Sequence, residues 1–130
     1  MGVNLDRSGY MNYVNQQRQA LINKNYNEIY SHELAHKTAG GSFAGSIVIE
    51  KNSEGIPVGG HVAIKMPVLD RNNPQKTIDH ADTVIRSAMA PSDPSGQDYK
   101  VAAQARAIKN EAVSLKHKQN GVGGRLDIQA

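Results

Sequence analysis

Between about Met11 and Thr38, apolar side chains recur at helical spacing, at Val14, Leu21, Ile22, Tyr26, Ile29, Tyr30, Leu34 and Ala35. This predicts one long or broken helix. Gly40 and Gly41 follow at once, and a glycine in the left-handed conformation closes a helix end, so the helix is expected to stop there. The period then changes. Ile47, Val48 and Ile49 form a β-branched run ending at Asn52-Ser53-Glu54-Gly55, and the chain resumes at Ile56 with alternation through His61, Val62, Ala63, Ile64, Lys65 and Met66. That pattern predicts a β-hairpin. Gly59-Gly60 in its second strand would let the backbone approach another element closely or bulge.

After Pro67 and a turn-like stretch from Asp70 to Asn73, the pair Asn73-Pro74 supplies an N-cap and a first helical residue. Ile78, Ala81, Val84, Ile85, Ala88 and Met89 then continue at helical spacing. Pro91-Ser92-Asp93-Pro94 ends this second helix, and Ser95 with Asp98 opens a third in the manner of a capping box, running through Ala102, Ala105, Ile108 and Val113 toward Leu115. The two helices are expected to pair antiparallel. From about His117 the composition turns to Lys, Gln, Asn and Gly, so residues 1–118 read as a single domain and residues 119–130 as a flexible tail. The class is α+β, and no internal repeat is visible.

Composition narrows the chemistry. The 130 residues include no cysteine, which excludes disulfides and thiolate metal sites and leaves His, Asp and Glu as the strong ligands. With one Phe and no Trp the core must be thin, built from Ile, Val, Leu, Ala and Tyr. The net charge of +3 comes from scattered Lys and Arg, so no nucleic-acid partner is expected. Met1 to Tyr10 lack a basic stretch followed by an apolar one, and no run of roughly 18 apolar residues occurs, so a cytoplasmic protein without a membrane segment is expected. Export that does not read an N-terminal signal stays compatible with these residues.

His32, Glu33, Leu34, Ala35 and His36 spell H-E-L-A-H near the end of the first helix. In H-E-x-x-H, two imidazoles four apart share a helical face and can hold a zinc ion, while the Glu serves as general base for its water. A third protein ligand is then required. His61 is the leading candidate, because it follows a glycine pair on a strand that folds back toward the helix. His80, on the second helix, is an alternative ligand or an oxyanion helper, a role open also to Tyr30 and Tyr99. Glu28 is expected to accept a hydrogen bond from an imidazole rather than to bind metal. Asp93 and Asp98 are expected to cap helices rather than ligate, and His117 to be solvated. The expectation is a zincin-like minimal domain binding Zn2+ through His32, His36 and His61, with Glu33 as general base and a peptide or protein as substrate. A noncatalytic zinc-binding or protein-interaction domain is the alternative.

Several blocks carry a resemblance beyond the motif. H-E-L-A-H-K-T-A-G-G through F-A-G, then V-G-G-H-V-A-I, then A-M-A-P-S-D-P-S-G-Q-D-Y-K-V-A-A-Q-A resemble the bacterial SprA-related family of metalloproteases, over about Leu21 to Lys118. The resemblance implies a zinc site and peptide hydrolysis. The position after the second glycine pair is often Glu in that family and is His61 in this chain; both residue types bind zinc.

Overall fold

The computed structural model describes residues 7–129, with side chains described to residue 121. Met1 to Asp6, part of the stretch read for a leader, and Ala130 of the expected tail lie outside the described residues. The first helix, α1, is continuous from Arg7 to Gly40, about 50 Å at 1.5 Å per residue. It ends where Gly41 takes φ +55°, a left-handed conformation that side chains resist, and a short 3-10 turn over Gly41–Phe43 redirects the chain.

Strands β1, Ala44–Lys51, and β2, Pro57–Ile64, form a two-stranded antiparallel sheet. Its register pairs Ile47 with Val62, Val48 with His61 and Ile49 with Gly60. Asn52 shapes the turn, its Oδ1 accepting from the backbone N–H groups of Glu54 at 2.9 Å and Ile56 at 3.0 Å. One face of the sheet lies on α1. A Cβ placed on Gly60 would stand 2.7 Å from Ile29 Cγ2 and 3.1 Å from Glu33 Cγ, so only glycine permits this approach of strand to helix.

Helix α2 spans Pro74–Ala88 and starts as the sequence predicts, with Asn73 Oδ1 accepting from Lys76 N–H at 3.3 Å. Helix α3 spans Gly96–Gln129. It runs past Leu115, so the stretch read as a tail from residue 119 continues as helix to Gln129. Contacts between the start of one helix and the end of the other show an antiparallel pair: Lys116 Nζ donates to Gln75 Oε1, and Lys109 Nζ pairs with Asp82 Oδ1 at 2.7 Å.

Among the described residues the buried aliphatic core is Ile78, Ala81, Val84, Ala88, Ala102, Ala105 and Ala112, on α2 and α3, with Pro57 fully buried at the start of β2. Alanines on α3 let the two helices close together without large interdigitating side chains. The tyrosines expected in the core are instead exposed, all five of them. Their helical spacing on α1 comes from a helix whose sheet-facing side is covered mainly around Ile29, Glu33 and His36. No described helix is long and apolar enough to cross a membrane.

Candidate metal centre

Residues 32 and 36 sit one turn apart on α1, so both imidazoles project from the same face, toward the first turn of α3. There they meet Asp98. His36 Nε2 lies 3.1 Å from Asp98 Oδ1, His32 Nε2 lies 3.2 Å from Asp98 Oδ2, and the two Nε2 atoms are 3.2 Å apart. Each of the three residues offers one ligand atom within 4.8 Å of the others. Two atoms bound to zinc at about 2.0–2.1 Å and at the tetrahedral angle lie about 3.3 Å apart. The separation of the two Nε2 atoms is close to that edge, and Asp98 meets each imidazole through a different carboxylate oxygen at a comparable distance.

The outward ring nitrogens are held as ligating imidazoles require. His36 Nδ1–H donates to the carbonyl oxygen of Ser87 at 2.7 Å, which fixes the tautomer, because a carbonyl only accepts. Ser87 Oγ returns a hydrogen bond to the carbonyl of His36, also at 2.7 Å, and Ser87 is fully buried. His32 Nδ1 faces Asp93 Oδ1 at 3.4 Å. With both Nδ1 atoms turned to protein acceptors, the lone pairs of two Nε2 atoms and the charge of one carboxylate converge on a single point. A cation or a shared proton at that point would offset the repulsion between these groups.

Asp98 also caps α3. Its Oδ2 accepts from Ser95 N–H at 2.8 Å, and Ser95 Oγ accepts from Asp98 N–H at 3.1 Å, the reciprocal capping box expected from the sequence. Capping and facing the imidazoles are compatible because a carboxylate has several lone pairs on two oxygens. Asp98 therefore caps α3 as expected, and the same carboxylate also faces the two imidazoles.

His61 is not in the cluster. The position on β2 that meets α1 is Gly60, and His61 borders the cavity beside the two imidazoles without joining the three residues whose ligand atoms come together. Its Nδ1 lies 3.0 Å from Glu50 Oε1, between two exposed side chains. His80 is elsewhere too: its ring stacks on Phe43 with centroids 3.7 Å apart, and its Nε2–H donates to Lys65 O at 2.7 Å. Glu28 does not contact His32 but lies 3.9 Å from Lys24 in an exposed pair. Tyr30 stacks on Tyr26. The sequence signal for Asp98 was present as an acidic residue at the third position of a helix whose start is fixed by Pro94-Ser95-Gly96, but a one-dimensional reading gives it no address relative to α1.

Glu33 is buried, and its carboxylate makes no hydrogen bond or ion pair among the described residues. It borders a cavity of about 520 Å³ together with His32, His36 and Asp98. Val62, Ile64 and Met66 from β2 and the segment after it, with Val101 and Gln104 from α3, form other parts of the wall.

The model of the SprA-related family matches residues 11–122, which contain every residue of this centre. The chain belongs to the SprA-related family. Neither a curated protein nor a solved structure matches it. In this SprA-related chain the matched span runs from the exposed first half of α1 far into α3 and takes in both blocks that meet at the centre, H-E-L-A-H and S-D-P-S-G-Q-D.

Proposed function

We propose that this SprA-related protein is a zinc-dependent metallopeptidase of zincin-like design, with His32, His36 and Asp98 as metal ligands and Glu33 as general base. The observation that carries the reading is that His32, His36 and Asp98 each bring one donor atom within 4.8 Å of the others, with His36 Nδ1 held by a carbonyl and His32 Nδ1 facing Asp93. Two imidazoles and a carboxylate suit zinc, and among the described residues the cluster has three donors, which leaves a position for water or substrate. The same donor set also serves iron(II); a carboxylate directly after the first histidine favours hydrolysis. Zinc, when bound, supplies a Lewis acid and a water that deprotonates near neutrality.

The protein's own groups do the rest. Glu33, next to His32 and unpaired, accepts the proton of the attacking water and delivers it to the leaving amine nitrogen. Ser87 and Asp93 hold the imidazole planes, so that both Nε2 atoms stay directed at one point. Gly60 keeps β2 close to Glu33, and this contact limits where the carboxylate can swing. The surrounding cavity, with a wall of Val62, Ile64, Met66 and Val101, excludes water from one side of the reacting bond.

The test is a comparison of zinc-loaded wild type with Glu33→Gln on a library of quenched fluorescent peptides. Zinc stoichiometry near one per chain in both, with turnover in the wild type reduced about 100- to 10,000-fold in the variant, is the expected result. Equal turnover in the two would remove Glu33 from the mechanism, and zinc absent from the wild type would remove the reading altogether.

A further inference from the structure

A second and larger cavity, of about 890 Å³, lies on the other side of the segment that follows β2. It shares Met66 with the cavity of the metal centre, so the two adjoin. Part of its wall is the stacked pair Phe43 and His80, joined by Met66 and Leu69. His80 is locked there through its bond to Lys65 O, which makes this wall a fixed, flat, largely apolar surface. Val68, on the same segment and also in the wall, is 81% exposed.

The charges around this cavity are unequal in their availability. Lys65, Arg71 and Lys76 border it, and none of the three forms an ion pair among the described residues. Two carboxylates also border it, and each accepts from neutral donors, which leaves its charge in place. Asp70 Oδ1 accepts from Asn72 N–H and Asn73 N–H, each at 3.0 Å, and Asp79 Oδ1 accepts from Gln75 Nε2 at 2.8 Å. Three cations outside ion pairs and two carboxylates, a net of +1, therefore border an apolar surface, and the chain as a whole carries +3.

We propose that this cavity is a recognition site for acidic peptide segments that carry an apolar or aromatic side chain. The apolar group packs on the Phe43–His80 plane, Met66 and Leu69, and the peptide carboxylates pair with Lys65, Arg71 and Lys76. A peptide is favoured over a small anion because the volume exceeds what one carboxylate or phosphate fills and falls in the range of sites that bury a ligand of several hundred daltons. Through Met66 the site continues into the cleft of the metal centre, so it holds the flank of the chain to be cleaved. This last step rests on the peptidase reading, whereas binding itself does not.

The experiment separates the two. Fluorescence anisotropy is read with a labelled Glu-rich peptide containing a Leu-Phe pair, and with its Gln-for-Glu counterpart, on zinc-stripped full-length protein. The wild type is expected to bind the Glu peptide at least about tenfold more tightly at low salt, with the preference falling as salt rises. The triple variant Lys65→Glu, Arg71→Glu, Lys76→Glu, all at exposed positions, is expected to lose that preference while keeping its melting temperature and zinc content. Equal binding of the two peptides by the wild type, or an unchanged preference in the triple variant, overturns the inference. On zinc-loaded protein, cleavage of the Glu peptide that slows in the triple variant supports both proposals. Binding without any cleavage supports this site and overturns the peptidase reading alone.

Discussion

Replacing Asp98 by Asn separates its two roles at the start of α3. The amide oxygen introduced in this way can still accept from Ser95 N–H, so the helix cap survives and the metal-free protein should lose less than about 1 kcal/mol. The charge between the two imidazoles is gone, however. Outer-sphere partners of metal ligands are worth 10- to 100-fold in affinity, so a loss of about a hundredfold is a lower bound for a direct anionic ligand. With free zinc at about a thousand times the wild-type Kd, bound ion stabilises the fold by about 4.1 kcal/mol; a site weaker by about a hundredfold retains about 1.4 kcal/mol. The difference of about 2.7 kcal/mol corresponds to roughly 10 °C in melting temperature for a chain of this size. Differential scanning fluorimetry with zinc and with chelator, run on wild type, Asp98→Asn and Asp98→Ala, measures it. Zinc should raise the wild-type Tm by far more than that of either variant, and Asp98→Ala should melt lowest without metal because it also loses the cap. An equal zinc-induced rise in wild type and Asp98→Asn would refute the ligand role and the geometric reasoning behind it.

Other outcomes follow from the same structure. His61→Ala should leave zinc affinity within about twofold of wild type and change stability by less than about 1 kcal/mol, since its pair with Glu50 is exposed; isothermal titration calorimetry checks both the affinity and, by comparison with Asp98→Asn, the choice of third ligand. Gly60→Val should destabilise the protein by about 1–3 kcal/mol or more, because its side chain would be driven into Ile29, Glu33 and the carbonyl of Val48, and urea unfolding should show the lower midpoint. Ser87→Ala removes a buried hydrogen bond to His36 O but keeps the carbonyl that fixes the His36 ring, so it should cost about 1–3 kcal/mol of stability while zinc affinity falls by less than about tenfold, read by competition with a chromophoric chelator. Zinc should leave as pH falls, since metal and proton compete for the same imidazole nitrogens and binding releases protons; zinc retention after dialysis across a pH series tests the sign, and affinity that rises on acidification would contradict it.

The elements were legible because each carries local signals. The period of apolar residues marked α1 and α2, Asn52 to Gly55 marked the hairpin turn, and Asn73-Pro74 and Ser95 with Asp98 marked the starts of α2 and α3, all governed by contacts within a few residues. The H-E-L-A-H pair on one helical face was legible for the same reason. The partner across the site was not. His61 looked well placed because it follows Gly59-Gly60, but a single residue of register decides which face of β2 a side chain occupies, and the close approach belongs to Gly60 itself. Asp98 comes 66 residues after His32, and its position depends on how α2 and α3 pack on each other and on α1. The exposed tyrosines misled for a related reason: helical spacing shows that a face is apolar, and only packing shows whether anything covers it.

The capping box at Ser95 and Asp98 makes the start of α3 part of the proposed metal site, and this would have a kinetic side. In an unfolded chain His32 and His36 offer at most a two-point grip, and the third point arrives only after the hairpin and α2 have formed and α3 has docked. An ion held by all three residues would therefore enter only after this long-range closure has been made. In the folded protein its escape would be tied to fraying of the first turn of α3, since the carboxylate proposed to hold the ion also caps that turn. Chelator-driven loss of zinc and hydrogen exchange at the amides of Asp98 and Tyr99 should then share a common rate, with the metal acting as a clock for local opening at one helix end.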